Sequence, residues 1–140
     1  MLQSLFSQIF VPMAVFNEIS VLGRGKPGDN IFKTNDFIQV RQIQNVLAAS
    51  LLRSQLDYGE SEVIVLAEEL GADFLVLDEK KARIIAQTAG QKVIGTIGIL
   101  QIAKNRGLIT NMKSQLENLI ASGVWIDKKL YDLVLKSNNE

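Results

Sequence analysis

The chain has 140 residues, 15 of them basic and 15 acidic, with 47% apolar and 21% charged positions, a composition that fits a single globular domain over 1–140. Zero formal charge gives no global drive toward nucleic acid, and the lack of cysteine and histidine excludes disulfides, thiolate nucleophiles, Ser-His-Asp triads and nearly every zinc site. Chemistry is left to carboxylates, lysine, arginine and hydroxyls, so any metal would be a hard ion, Mg²⁺ or Mn²⁺.

Residues 1–9 read as a short helical piece with Leu2, Leu5, Phe6 and Ile9 on one side. Phe10-Val11 predicts a short strand that runs into Pro12, a favoured first helical residue, and a helix follows to about residue 20. The segment 23–30, with three glycines and a proline, predicts a flexible loop. A strand at 37–40 and a helix over 45–56 come next, then a helix over 59–70 that stops at Gly71. Phe74-Leu-Val-Leu77 is short and continuously apolar, the pattern of a central parallel strand covered on both faces. A helix over 79–89 ends at Gly90, a strand occupies 92–94, and a helix over 96–106 ends at Gly107. Two further helices are expected over 113–122 and 127–136, with Trp125 and Tyr131 packing them. Strands alternating with helices predict an α/β fold, a three-layer α/β/α sandwich with a mostly parallel sheet. No apolar run reaches membrane-spanning length and no signal-peptide pattern opens the chain, so the expected location is the cytoplasm, with no membrane partner.

Three acids stand where an α/β domain can present them. On the 59–70 helix each residue turns by about 100°. Val63, Ile64, Leu66, Ala67 and Leu70 then share one arc, Glu60 lies at its edge, and Glu62 and Glu69 point toward water. Glu60 therefore leans inward, although Asp57 and Glu60 also have the spacing of a capping box. Asp78 follows the 74–77 strand directly, beyond whose carboxyl end ligands bind in open parallel sheets; an N-cap role suits it equally. Glu18 borders the apolar face formed by Val15 and Leu22, a position that an ordinary surface glutamate also fills. Carboxylates gathered at one point repel unless a cation neutralises them, and a divalent metal is the usual remedy.

Thr96 stands at a second strand end, either to donate its hydroxyl to a phosphate or to cap a helix. Lys80, Lys81, Arg83 and Lys92 form either a basic rim for RNA phosphates or a solvated face. Gly95-Thr-Ile-Gly98 matches neither the dinucleotide fingerprint nor the P-loop, so nucleotide or flavin binding has no support.

The run from Gly59 to Ala67, Leu75-Val-Leu-Asp78 with the Glu-Lys-Lys-Ala-Arg83 that follows, and Val93-Ile-Gly-Thr-Ile-Gly-Ile-Leu100 with Ala103 to Ile109 resemble a PIN-like domain. More narrowly, they resemble an uncharacterised prokaryotic subgroup similar to the toxin ribonucleases of toxin–antitoxin modules. The resemblance runs from about residue 10 to 136, and Val11-Pro-Met-Ala-Val-Phe-Asn-Glu18 resembles the family's second acidic motif. It implies a Mg²⁺- or Mn²⁺-dependent endoribonuclease in which Glu18, Glu60 and Asp78 hold the metal and position the water. RNA and an antitoxin-like protein are the implied partners. The family's opening strand, which ends in the first acidic motif, has no counterpart in residues 1–10. The expectation is thus an N-terminally truncated PIN-like domain, with the exposed sheet edges favouring a homodimer. Two functions stay open: a metal-dependent ribonuclease, and a non-catalytic binding or regulatory protein on the same scaffold.

Overall fold

A computed structural model describes residues 2–22 and 36–140. They fall into two compact units, 2–95 and 96–140. The loop expected at 23–30 lies outside the described residues, and no described helix is long and apolar enough to cross a membrane.

The first unit holds α1 (Leu2–Leu5), β1 (Ile9–Pro12), α2 (Met13–Leu22), β2 (Ile38–Arg41), α3 (Val46–Leu52), α4 (Tyr58–Leu70), β3 (Leu75–Val76), α5 (Lys80–Thr88) and β4 (Val93–Ile94). Its strands pair in parallel, β1 with β2 and β3 with β4. A parallel pair needs a crossover, which α2 lies within for the first pair and α5 supplies for the second. The registers set Ile9 beside Ile38 and Leu75 beside Val93. Hydrogen bonds from Leu75 N to Lys92 O (2.8 Å) and from Leu77 N to Ile94 O (3.1 Å) extend the second ladder beyond its two paired residues. The parallel α/β class expected from the sequence is present, with the strands divided into two two-stranded sheets among the described residues.

Helix α4 organises this unit because two sides of it are apolar. Ile64 and Ala67 pack with Leu56, Leu75, Leu77, Ala82 and Ala86, whereas Val65 and Leu66 pack with Ile43 and Ala49. Burying each such aliphatic side chain contributes about 1.5–3 kcal/mol. Asp57 caps the helix by accepting a 2.8 Å hydrogen bond from Glu60 N, and Gly71 ends it at φ 60°, ψ 42°, a left-handed backbone that favours glycine.

Four local expectations are corrected. Pro12 is the last residue of β1 and pairs with Arg41, so α2 starts one residue later. Proline offers no capping side chain, and Glu62 of α4 takes that role across the fold, accepting from Ala14 N at 3.0 Å. Glu62 thus does not simply face water; Glu69 is exposed as expected, and from there its Oε1 accepts from Gln44 N (2.8 Å) and Asn45 N (2.7 Å) just ahead of α3. Helix α3 ends at Leu52 rather than near 56, in a turn where Ser54 Oγ donates to Leu51 O at 2.8 Å. The 74–77 segment is covered on one face only. Leu75 and Leu77 are buried, but Phe74 and Val76 are 50% and 48% exposed, as alternating strand side chains are when a single layer packs on them.

The second unit consists of α6 (Thr96–Asn105), α7 (Met112–Ala121) and α8 (Lys128–Ser137) around Leu100, Met112, Leu116 and Val134. Tyr131 packs against this core as expected. Trp125 does not: it sits in the connection between α7 and α8 and is 83% exposed. Glu140 ties the unit together. It accepts from Lys104 Nζ (2.6 Å), Met112 N (2.8 Å) and Lys113 N (3.1 Å), and so caps the start of α7.

Candidate functional site

Helix α2 packs on α4, and at that contact two of the three acids meet. Gly59 is buried in the first turn of α4 with the Glu18 carboxylate against it. A β-carbon on Gly59 would lie 2.9 and 3.2 Å from the two Glu18 oxygens and 3.3 Å from Val15 Cγ2. The next residue is Glu60, half-buried, its backbone N–H committed to Asp57.

The Glu60 carboxyl is pushed up to about 7. Burial is the main cause, a hydrogen bond with the Asp57 side chain comes second, and the negative charges of Asp57, Glu79 and Glu18 add to it. A glutamate with this value exchanges its proton near neutral pH, the range in which a general acid or base works. The Asp57 half of the expected capping box is present, and the Glu60 side chain is half-buried beside the Asp57 side chain.

Asp78 sits apart from that pair, beside Gly95. A β-carbon on Gly95 would lie 2.9 Å from Asp78 Oδ1, 3.3 Å from Arg83 Nη1 and 3.8 Å from the Leu77 carbonyl. The capping alternative for Asp78 is overturned: Glu79 is the N-cap of α5 and accepts from Ala82 N at 2.8 Å. Of the expected basic rim, Arg83 is partly buried and next to Asp78, whereas Lys80, Lys81 and Lys92 are exposed. Thr96 is the first residue of α6 and belongs to the second unit.

Sequence reasoning missed Glu79 as an electrostatic neighbour of Glu60, Gly59 as the neighbour of the Glu18 carboxylate and Gly95 as that of Asp78. The Asp78-Glu79 doublet ahead of a helix was a usable signal, since either acid can cap a helix start.

The arrangement can be tested against the divalent metal expected from the sequence. Among the described residues no three acidic side chains converge closely enough to hold a metal ion, so Glu18, Glu60 and Asp78 do not form a three-carboxylate cage. The donors are nonetheless all carboxylate oxygens, and Mg²⁺ commonly takes one or two carboxylates while keeping its waters. Glu18 and Glu60 fit an ion held in that looser way. Their accumulated negative charge, expressed in the raised Glu60 pKa, is what such an ion would relieve.

Neither the curated proteins nor the solved structures returned a significant match to the chain. A family model described as a PIN domain matches residues 1–140, the whole of the sequence. The parallel strand–helix–strand units agree with that match, and the chain belongs to the PIN domain family.

Proposed function

We propose that this protein is a toxin-like endoribonuclease that works with Mg²⁺ or Mn²⁺, with Glu18, Glu60 and Asp78 as its acidic residues. The observation that supports it is the Glu60 carboxyl, raised to about 7 among Glu18, Asp57 and Glu79 on a PIN scaffold. Acids crowded to that extent are unusual in a merely structural role, and shifted carboxyls of this kind concentrate at functional sites. PIN domains are generally dependent on divalent metals.

In this reading Glu18 and Glu60 hold the ion from the α2–α4 contact, and Asp78 reaches the reacting phosphate from the end of β3. The bound cation would supply charge for the attacking and leaving oxygens of the phosphodiester. The carboxylates would hold the ion and position the attacking water, and the cation would relieve the repulsion that raises Glu60. Arg83, beside Asp78, orients the phosphate; Lys81 and Thr96 serve as outer contacts to the RNA. Val46, Leu47 and Leu51 leave an exposed apolar stripe on α3, which supports a protein partner, antitoxin-like or a second copy in a homodimer.

The test is a calorimetric titration of Mn²⁺ joined to an RNA cleavage assay, with Glu60→Gln as control. Saturable binding and metal-dependent cleavage, both lost in the variant, are expected. Absence of binding at millimolar Mn²⁺ sinks the reading.

A second reading, a non-catalytic binding or regulatory protein on the same scaffold, is favoured by the failure of three acids to converge among the described residues. It requires alanine at Glu18, Glu60 or Asp78 to cost about 1 kcal/mol or less and to change nothing else. Metal-dependent RNA cleavage that disappears with Asp78→Ala excludes it.

A further inference from the structure

We infer that Gly59 and Gly95 are positioning residues, each the seat on which one site carboxylate rests: Glu18 on Gly59 and Asp78 on Gly95. The inference rests on the reading of Glu18 and Asp78 as site acids, and names what holds them in place.

Glycine is normally kept for its backbone. Gly71, Gly90, Gly107 and Gly123 all have positive φ, between 60° and 101°, and a β-carbon on any of them would meet nothing within 4 Å. Conformation explains those four. Gly59 and Gly95 show the reverse. Neither is among the described glycines with positive φ, yet each would place a β-carbon 2.9 Å from a carboxylate oxygen. Gly59 also lies within the first turn of α4, where alanine is the better helix former. With no backbone reason for glycine, space is the reason, and the space is filled by the two acids.

The two seats differ in how much they can yield. At Gly59 the intruding group is the far end of a long side chain, so a methyl group there displaces the Glu18 carboxylate and leaves the helix standing. At Gly95 the occupant is the short side chain of Asp78, with the Arg83 guanidinium and the Leu77 carbonyl behind it. Asp78 is exposed but short, and with Arg83 also close it has less freedom to shift than the longer Glu18, so Gly95→Ala has the larger effect. Glu18 is exposed overall, and its charge still reaches Glu60, which agrees with a carboxylate lying at the start of α4.

The experiment is a pair of double-mutant cycles read by thermal melting, with Mn²⁺ affinity measured on the same proteins. Gly59→Ala is expected to lower the melting temperature in the natural background and to lower it markedly less in the Glu18→Ala background, where only the close approach to Val15 and the helix preference for alanine remain. Gly95→Ala should likewise be destabilising with Asp78 present and markedly less so in Asp78→Ala. Equal shifts in both backgrounds overturn the inference. In Gly59→Ala, folded by circular dichroism, Mn²⁺ affinity should fall at least about tenfold; unchanged affinity beside a wild type that binds also overturns it. A wild type that binds no Mn²⁺ removes the ribonuclease reading instead, and the melting cycles still decide the seats.

Discussion

Glu60 in the first unit and Glu140 in the second are chemically identical, and their surroundings move them in opposite directions. Glu140 accepts from Lys104 and from the Met112 and Lys113 backbone N–H groups. The Lys104 hydrogen bond first, then the two backbone bonds, hold it down to about 2. Glu60 meets burial and three further acids, and rises to about 7. A carboxylate given donors becomes a fastener. One given only other carboxylates stays in electrostatic debt until a proton or a cation arrives, which is how a fold keeps a reactive site in reserve. Glu62, Glu69, Glu79 and Asp57 fall on the fastener side, since each accepts from a backbone N–H at a helix start.

The largest effect should come from removing the ionisable group on the indebted side. Glu60→Gln keeps shape and loses a carboxylate that holds the ion, so metal-dependent RNA cleavage is expected to fall by about 10-fold to 100-fold or more. Cleavage that survives intact would break the contrast at its centre. The next effect is on stability. An acid whose folded value exceeds its ordinary 4.5 binds its proton more tightly when folded, so the protein should lose stability as pH rises from 4.5 to about 7. After solvent screening the loss is about 1–3 kcal/mol. Glu60→Gln should flatten that window and be the more stable protein at pH 8. Denaturant midpoints at pH 5 and pH 8 decide it, and an equal drop in both proteins would assign the slope to other groups.

How much of this was legible depends on whether the cause lay near in sequence. The capping interaction of Asp57 with Glu60 N sits within three residues, and the inward lean of Glu60 follows from one helix's own periodicity. The helix ends at Gly71, Gly90 and Gly107 were marked in the same local way. Glu62 was misjudged because nothing around it encodes that α2 begins opposite, behind a proline that cannot cap itself. The seat of Glu18 on Gly59 was hidden for the same reason. The exposed faces of Phe74 and Val76 depend on which layers pack on β3, and a run of apolar residues does not carry that information. At Asp78-Glu79 the expected cap was Asp78, and the fold uses its neighbour Glu79.

The fastener side makes smaller predictions, which test whether its carboxylates are structural as argued. Glu62→Ala removes the acceptor for Ala14 N and should cost about 0.5–2 kcal/mol, the range of a lost helix cap, without altering Mn²⁺ affinity. A loss of metal binding would instead place Glu62 with the site acids. The smallest effect belongs to Lys104→Met. Glu140 is an acid held below its ordinary 4.5, so it contributes stability that is present above that value and lost as pH falls toward about 2. Removing Lys104 takes away the first cause of the depression while the Met112 and Lys113 N–H bonds remain, so the Glu140 titration should move partway back up. The variant should then begin to lose stability at a higher pH than the natural protein during acid unfolding, and match it more closely at the acid end, where Glu140 is protonated in both. Because the pair is partly solvated, added salt should shrink the difference between the two proteins. A difference that grew with salt would mean that Lys104 contributes through the packing of its stem rather than through its charge.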